Sequence, residues 1–353
     1  MNTSKLKSKK LNFWYLTVIF PVTAIVLFVL NIYLGSIDIP FMQIIEMLSG
    51  GTPTHESWAN ILFDFRLPKA TAAVLVGAGL AIGGLLMQTL FNNPLAGPFV
   101  LGITSGASLG VALLVMASQF LISIFPGFVQ VGNWTLILSG CLGAGLVLLV
   151  VLLVSASVKS SMTLLIVGLL FGSTAGALVS ILQFFSDKEQ IQTYVIWTFG
   201  SLGGLTWEEL ALFVPVVVIG LVMAFLLKKP LNALLIGEEY AQSMGVKVKR
   251  VRVMIIIITS LLAGSITAFC GPIAFIGIAV PHMARIMLNS GNHHYLIPAT
   301  IMLGIIVMLI CDTIAQIPGS QYILPINAIT SLFGAPMVLW IVLGKKDFRA
   351  SFA

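Results

Sequence analysis

Three ionisable residues inside apolar sequence are the first candidates for chemistry. They are His282 and Arg285, in the run Pro281-His282-Met283-Ala284-Arg285, and Asp312. Ionisable groups in hydrocarbon are costly, and they persist where they gate, relay protons or pair. His282 and Arg285 stand three apart, so they share a helix face. With Pro281 they suit a gate or a coupling contact. The plainer alternative lets Arg285 reach head groups along its apolar stem and lets His282 satisfy a carbonyl. A proton relay needs more than one buried acid. Asp312 therefore reads as the cap of a nearby helix end rather than as a proton carrier.

Other chemistry is excluded by what is missing from the sequence. There is no GxxxxGK[ST] loop to cradle phosphates, no HExxH and no GxSxG with suitable partners. Any ATP-driven work would have its motor on another polypeptide, and an intramembrane enzyme would lack a site. Cys141, Cys270 and Cys311 sit in apolar runs without CxxC spacing, which argues against a disulfide framework or a zinc site. His293 and His294 invite a haem reading. Their neighbours Asn289–Asn292 favour a solvated cytoplasmic loop instead.

The elements that position these residues follow from composition. Hydrophobic residues make up 58% of the chain and charged residues 8%. A soluble domain carries roughly 25% charged residues, so the apolar excess must face lipid. The net charge of +6 does not imply nucleic acid, because the basic residues border apolar segments. Ten apolar runs span about 13–34, 68–91, 97–122, 134–157, 162–185, 209–227, 253–270, 273–289, 296–315 and 326–344. Each approximates the length of one membrane span. The first is too long for a signal-peptide core and has no small-residue cleavage site after it, so it reads as a retained span. The expectation is an all-α polytopic protein, one transmembrane domain over 1–353.

An even span number puts both termini on one side. Taking that side as cytoplasmic gives it four basic residues at the N-terminus (Lys5, Lys7, Lys9, Lys10), Lys159, six in 228–252 and three at the C-terminus. The opposite side holds Arg66, Lys69 and Lys188. Fourteen against three fixes the orientation under the positive-inside rule. Segments 35–67 and 186–208 are then external loops. Segment 228–252 is cytoplasmic, with short helices expected between Pro230 and Gly245. Gly97-Pro98-Phe99-Val100-Leu101-Gly102 is echoed by Gly271-Pro272-Ile273-Ala274-Phe275-Ile276-Gly277 with a one-residue gap. The two fall on opposite sides, as an inverted repeat requires. Gly168, Gly172 and Gly176 form one helix face suited to close packing, or to a smooth wall with Ser173 and Thr174 beside it.

Several of these segments resemble one family. They are Arg66-Leu67-Pro68-Lys69, Val76 to Gly84, Gln88, Asn93-Pro94-Leu95-Ala96, Leu101 to Ala107, Gly237-Glu238-Glu239 to Gly245-Val246, Gly271-Pro272 to Gly277, Val280-Pro281-His282 with Arg285, Asp312-Thr313 and Gly334-Ala335-Pro336. In order and spacing they resemble the membrane permeases of bacterial ABC importers for iron chelates and cobalamin. The resemblance covers nearly the whole chain.

It implies a ten-span, inverted-repeat type II importer fold in the bacterial inner membrane, with both termini cytoplasmic. It also implies a homodimer with the pathway between subunits, lined here by Ser173, Thr174, Asn327, Thr330 and Ser331. Two P-loop ATPase subunits, which hold the ATP and magnesium, would dock on about 229–249 at Leu235, Gly237, Glu238, Glu239 and Gly245. A periplasmic or lipid-anchored binding protein would meet Arg66 and Lys69. Gln316 stands where some members carry a further basic contact, which puts that contact in doubt. The implied function is import of an iron chelate, siderophore or haem. The alternatives are cobalamin or, from another class, proton-coupled secondary transport.

Overall fold

The computed structural model describes residues 14–118, 132–158, 161–317, 320 and 322–343. The basic residues Lys5, Lys7, Lys9, Lys10, Lys159, Lys345, Lys346 and Arg349 lie outside the described residues. The described secondary structure is helical throughout. In chain order the α-helices are α1 (Phe20–Tyr33), α2 (Phe41–Leu48), α3 (Leu67–Leu90), α4 (Ile103–Met116), α5 (Asn133–Ser157), α6 (Ser161–Phe185) and α7 (Lys188–Thr198). They continue as α8 (Trp207–Leu226), α9 (Lys228–Leu234), α10 (Glu238–Ser243), α11 (Val248–Cys270), α12 (Ile276–Leu288), α13 (His293–Ala315) and α14 (Ile326–Leu343).

All ten apolar runs correspond to helices. Among the described residues six helices are long and apolar enough to cross a membrane. Four apolar helices, α1, α4, α12 and α14, are shorter. A fourteen-residue helix such as α1 or α4 rises about 21 Å, less than the roughly 30 Å of a bilayer core. Non-α segments extend three of the four. A π-helical turn, Tyr15–Ile19, precedes α1, a 3₁₀ turn, Pro98–Leu101, precedes α4, and the bend 271–275 precedes α12. Backbone irregularity at membrane depth requires protein cover, and both Gly-Pro segments have it.

The external segment expected at 35–67 is more ordered than a loop. Residues Glu56–Asn60 and a π-helical turn, Ile61–Arg66, run straight into α3, making a helix of 35 residues. Pro68 explains the wide turn. Its ring crowds the carbonyl four residues back and it cannot donate, so a standard turn there would be strained. α8 starts at a capping box: the Thr206 hydroxyl accepts from the Glu209 amide, and the Glu209 carboxylate accepts from the Thr206 amide at 2.8 Å. Asn133 also donates to that carboxylate, at 2.6 Å, tying α5 to α8.

α3 and α11 form the core. Of the apolar stretch of α3 89% is buried, against 28% for α5 and 22% for α6. The outer face of α5 shows why: Leu138, Leu142, Leu146, Leu149 and Leu153 form an exposed stripe at helical spacing, fit for lipid. Packing follows a repeated plan. α3 lies against α12 and α13, as α11 lies against α4 and α5. α4 packs on α5 and α6, as α12 packs on α13 and α14. The faint sequence echo thus marks the equivalent break in each half.

Close backbone contact holds this core. A Cβ at Gly77 would overlap the Gly304 carbonyl, and one at Gly304 would overlap the Gly77 carbonyl. Neither obstacle is a flexible side chain, so neither can move aside. Gly304→Val is expected to lower the detergent melting temperature by several degrees, the cost of overpacking being about 1–3 kcal/mol. Gly145→Ala, at a position with open space, should leave melting unchanged.

Candidate functional site

Three regions carry the polar side chains. The first is the centre, where the two Gly-Pro breaks meet. Gly277 packs against Pro98, and a Cβ at Gly84 would overlap the Gly277 carbonyl. A cavity of about 100 Å³ lies between the breaks, lined by Pro98, Phe99, Thr104, Thr267, Phe275 and Asn327 among others. Phe275 is held at a positive φ of 65°, a strained position for a bulky residue. Two contacts hold the bend: Asn327 Oδ1 accepts from the Ala274 amide at 3.1 Å, and the Ser201 amide donates to the Cys270 carbonyl at 2.8 Å.

The expected pathway residues divide at this point. Ser173 and Thr174 are exposed on α6, with hydroxyls donating to the Leu169 and Leu170 carbonyls. Ser331 is half-buried and turned to the Asn327 carbonyl. Thr330 is fully buried and bonded to the same carbonyl, and it borders a second cavity beside Phe275 and Phe333. Asn327 lines the cavity but serves chiefly to pin the bend. Of the glycine face on α6, Gly168 and Gly172 pack against Leu101 and Ser105 while Gly176 is open.

The second region is the end of the bundle where α1 and α13 finish and α3 begins. Arg66 is buried, and its guanidinium donates to the carbonyls of Ile32 and Tyr33 at 2.8 Å and of Ile37 at 2.5 Å. It closes the carbonyl end of α1, where cations suit the helix dipole. Lys69 forms an ion pair with Asp312 at 3.2 Å, the side chains being 15% and 3% exposed. The other Asp312 oxygen accepts from Asn31 at 2.8 Å and from Gln316 at 3.0 Å. Arg66 and Lys69 are therefore committed inward rather than displayed to a partner, and Asp312 is an ion-pair partner rather than a cap. Gln316 occupies one lone pair of that carboxylate.

The third region is the connection between α8 and α11. Gly237 (φ 127°) separates α9 from α10, and Gly245 (φ 84°) ends α10, both where only glycine is relaxed. Glu238 receives two bonds from Arg252 Nη2, at 3.1 and 3.0 Å. Leu235 is half-buried and Glu239 exposed. Sequence reasoning missed the apolar side chains here: Ile236, Tyr240 and Met244 are each more than half exposed. They stand outside the apolar runs, so hydropathy alone gave no reason to single them out. His293 is a further correction. It is fully buried, not solvated, with Nδ1 2.9 Å from Asn232 Oδ1 and Nε2 3.0 Å from Thr89 Oγ1. His282 and Arg285 are both buried on α12, and Arg285 bonds Gln88 rather than head groups.

Removing one partner of a buried pair leaves a charge uncompensated, at a cost of about 3–5 kcal/mol. Lys69→Met alone should therefore destabilise the protein strongly in detergent melting. Lys69→Met with Asp312→Leu should recover most of the loss, and equal damage from both variants would contradict the pairing.

The match of the FecCD transport family covers residues 23–344. The chain is 31% identical over 322 residues to the hemin transport system permease protein HmuU of Yersinia pestis, covering 90% of this chain and 93% of that protein. It is 33% identical over 285 residues to the vitamin B12 import system permease protein BtuC of Klebsiella pneumoniae, covering 81% and 83%. Among solved structures it is similar to an inward-facing conformation of an ABC transporter assigned to the metal-chelate type, with TM-score 0.79 and 28% identity, covering 92% of this chain and 97% of that one. The helical breaks, the glycine-packed core and these matches agree: the chain belongs to the FecCD transport family.

Proposed function

We propose that this chain is the permease subunit of a binding-protein-dependent ABC importer that carries an iron chelate, siderophore or haem, inward across the bacterial inner membrane. The observation that carries the mechanism is the set of exposed apolar side chains Ile236, Tyr240 and Met244, on α10 and just before and after it. It follows directly on α8 and leads into α11, so it stands at a membrane boundary with both neighbouring spans in its grip. An exposed apolar group on a short, glycine-bounded helix pair suits a protein partner. That partner is the P-loop ATPase, which supplies ATP and magnesium chemistry that this sequence lacks. Glu239 and Gly245 border the patch, Leu235 roots it, and Glu238 braces it against Arg252.

Two copies would meet along the sparsely buried α6 and the exposed face of α14, with Ser173, Thr174 and Ser331 toward the path. The cavity between the two Gly-Pro breaks supports alternating access, because paired broken helices are where one half can rock against the other. Both termini are cytoplasmic in this reading. The binding protein docks on the external surface around Arg66 and Lys69, which shape that surface from beneath. A proton-coupled mechanism is disfavoured because Asp312 is held by Lys69.

Ile236→Asp with Met244→Asp should abolish co-purification of the ATPase while leaving the permease folded. Glu239→Lys should weaken co-purification, and undiminished association of both variants would remove the docking role. Uptake of labelled haem, ferric siderophore and cobalamin by cells with and without the gene identifies the cargo. Uptake driven by a pH gradient without ATPase would favour secondary transport.

A further inference from the structure

A polar chain links the cytoplasmic segment to the central cavity. Asn232 on α9 accepts at Oδ1 from the His293 backbone amide at 2.8 Å, and its amide donates to Asn292 Oδ1 at 3.0 Å. Asn292 in turn caps α13 by accepting from the His294 amide at 2.9 Å. The first contact settles the ring. A backbone N–H can only donate, so the Asn232 atom it meets is the carbonyl oxygen. His293 Nδ1, 2.9 Å from the same oxygen, must therefore carry the proton. In the neutral ring Nε2 is then bare and accepts from the Thr89 hydroxyl, 3.0 Å away. That hydroxyl also lies 2.9 Å from the Leu85 carbonyl. It has one proton and two acceptors, so turning it makes or breaks the link without moving a heavy atom.

Thr89 is next to Gln88 on α3. Gln88 Nε2 donates to the Ile278 carbonyl at 3.0 Å, and Gln88 Oε1 accepts from Arg285. Both partners are on α12, and Ile278 lines the central cavity. The contacts run from α9 through the start of α13 and the end of α3 to α12. Gln88, Thr89, Arg285 and His293 are all buried. Apolar packing at Leu231 also joins α9 to its neighbours, but such packing is non-directional and permits sliding. Hydrogen bonds fix register, and in a low-dielectric interior a broken one is expensive.

We infer that His293 is a positioning residue that transmits displacement of α9 to α12 through Asn232, Thr89 and Gln88, making transport strictly dependent on movement of the cytoplasmic segment. This rests on the importer reading for the source of the movement. The linkage itself is a property of this chain. Arg285 belongs to the same chain of contacts, as does the α12 turn that carries His282.

The test uses the full permease with its ATPase and its binding protein in liposomes, and separately the permease alone. His293→Phe keeps ring volume and removes both ring bonds. The ATPase should still co-purify and hydrolyse ATP at near wild-type rate, while cargo taken up per ATP falls at least tenfold. Thr89→Val, nearly isosteric, should do the same more mildly. Thr89→Ser should restore coupling, as a role for the hydroxyl rather than for bulk requires. Asn232→Leu combined with His293→Phe should be no worse than His293→Phe by itself. In the permease alone, amide exchange should rise together in 231–246 and 276–279 in His293→Phe. Unchanged uptake per ATP, or exchange confined to residues next to 293, overturns the inference. If wild-type permease never binds an ATPase, the importer reading fails, and the exchange result still decides the linkage.

Discussion

The contact of Gly84 with Gly277 governs the arrangement of the bundle. A broken helix at membrane depth leaves backbone groups without partners, and hydrocarbon offers none. The bend before α12 is therefore possible only if another element covers it at backbone distance. α3 does so because it lacks a Cβ at Gly84, as it lacks one at Gly77 where α13 approaches. With α3 fixed, the Pro98 turn falls against Gly277, and the two halves of the repeat face each other across the cavity. Weak attraction between helices in lipid makes such close packing the main source of cohesion.

Polar interactions then specify which arrangement the apolar contacts adopt. Lys69 with Asp312, and Arg66 on the carbonyls of Ile32, Tyr33 and Ile37, lock α1, α3 and α13 at one end of the bundle. The chain through His293 does the same at the opposite end. The cavity lies between two fastened ends, one held by Arg66 and the Lys69–Asp312 pair, the other by hydrogen bonds that are neutral from Asn232 through His293 to Thr89 and charged only at Arg285. The neutral links are the easier to rearrange, because breaking them strands no charge.

The sequence made the helices legible and left their polar partners hidden. Each apolar run marks a helix because a span must be apolar over most of its length, and that signal is local. The Gly-Pro pairs marked the breaks for the same reason. Helical spacing placed His282 and Arg285 on one face, but it could not supply Gln88, which is 197 positions from Arg285. Asp312 looked solitary because its partners Lys69 and Asn31 are in other runs. His293 looked solvated because its neighbours are polar, and only the fold brings Thr89 to it. The start at Glu56 of the 35-residue helix that contains α3 was obscured by Pro68, normally a boundary signal, which a π turn absorbs here.

The hydroxyls of α6 have one further consequence. Ser173, Thr174 and Ser180 each send their proton to a carbonyl four residues back on the same helix. Along a path lined by α6, these three hydroxyls would have no spare donor with which to grip a passing solute, yet they make it less oily than bare leucine. It would slide under many solutes and recognise none. Cargo identity is then left unread by this helix, and one α6 could serve chelates of unlike chemistry, provided that a carrier upstream had already chosen among them.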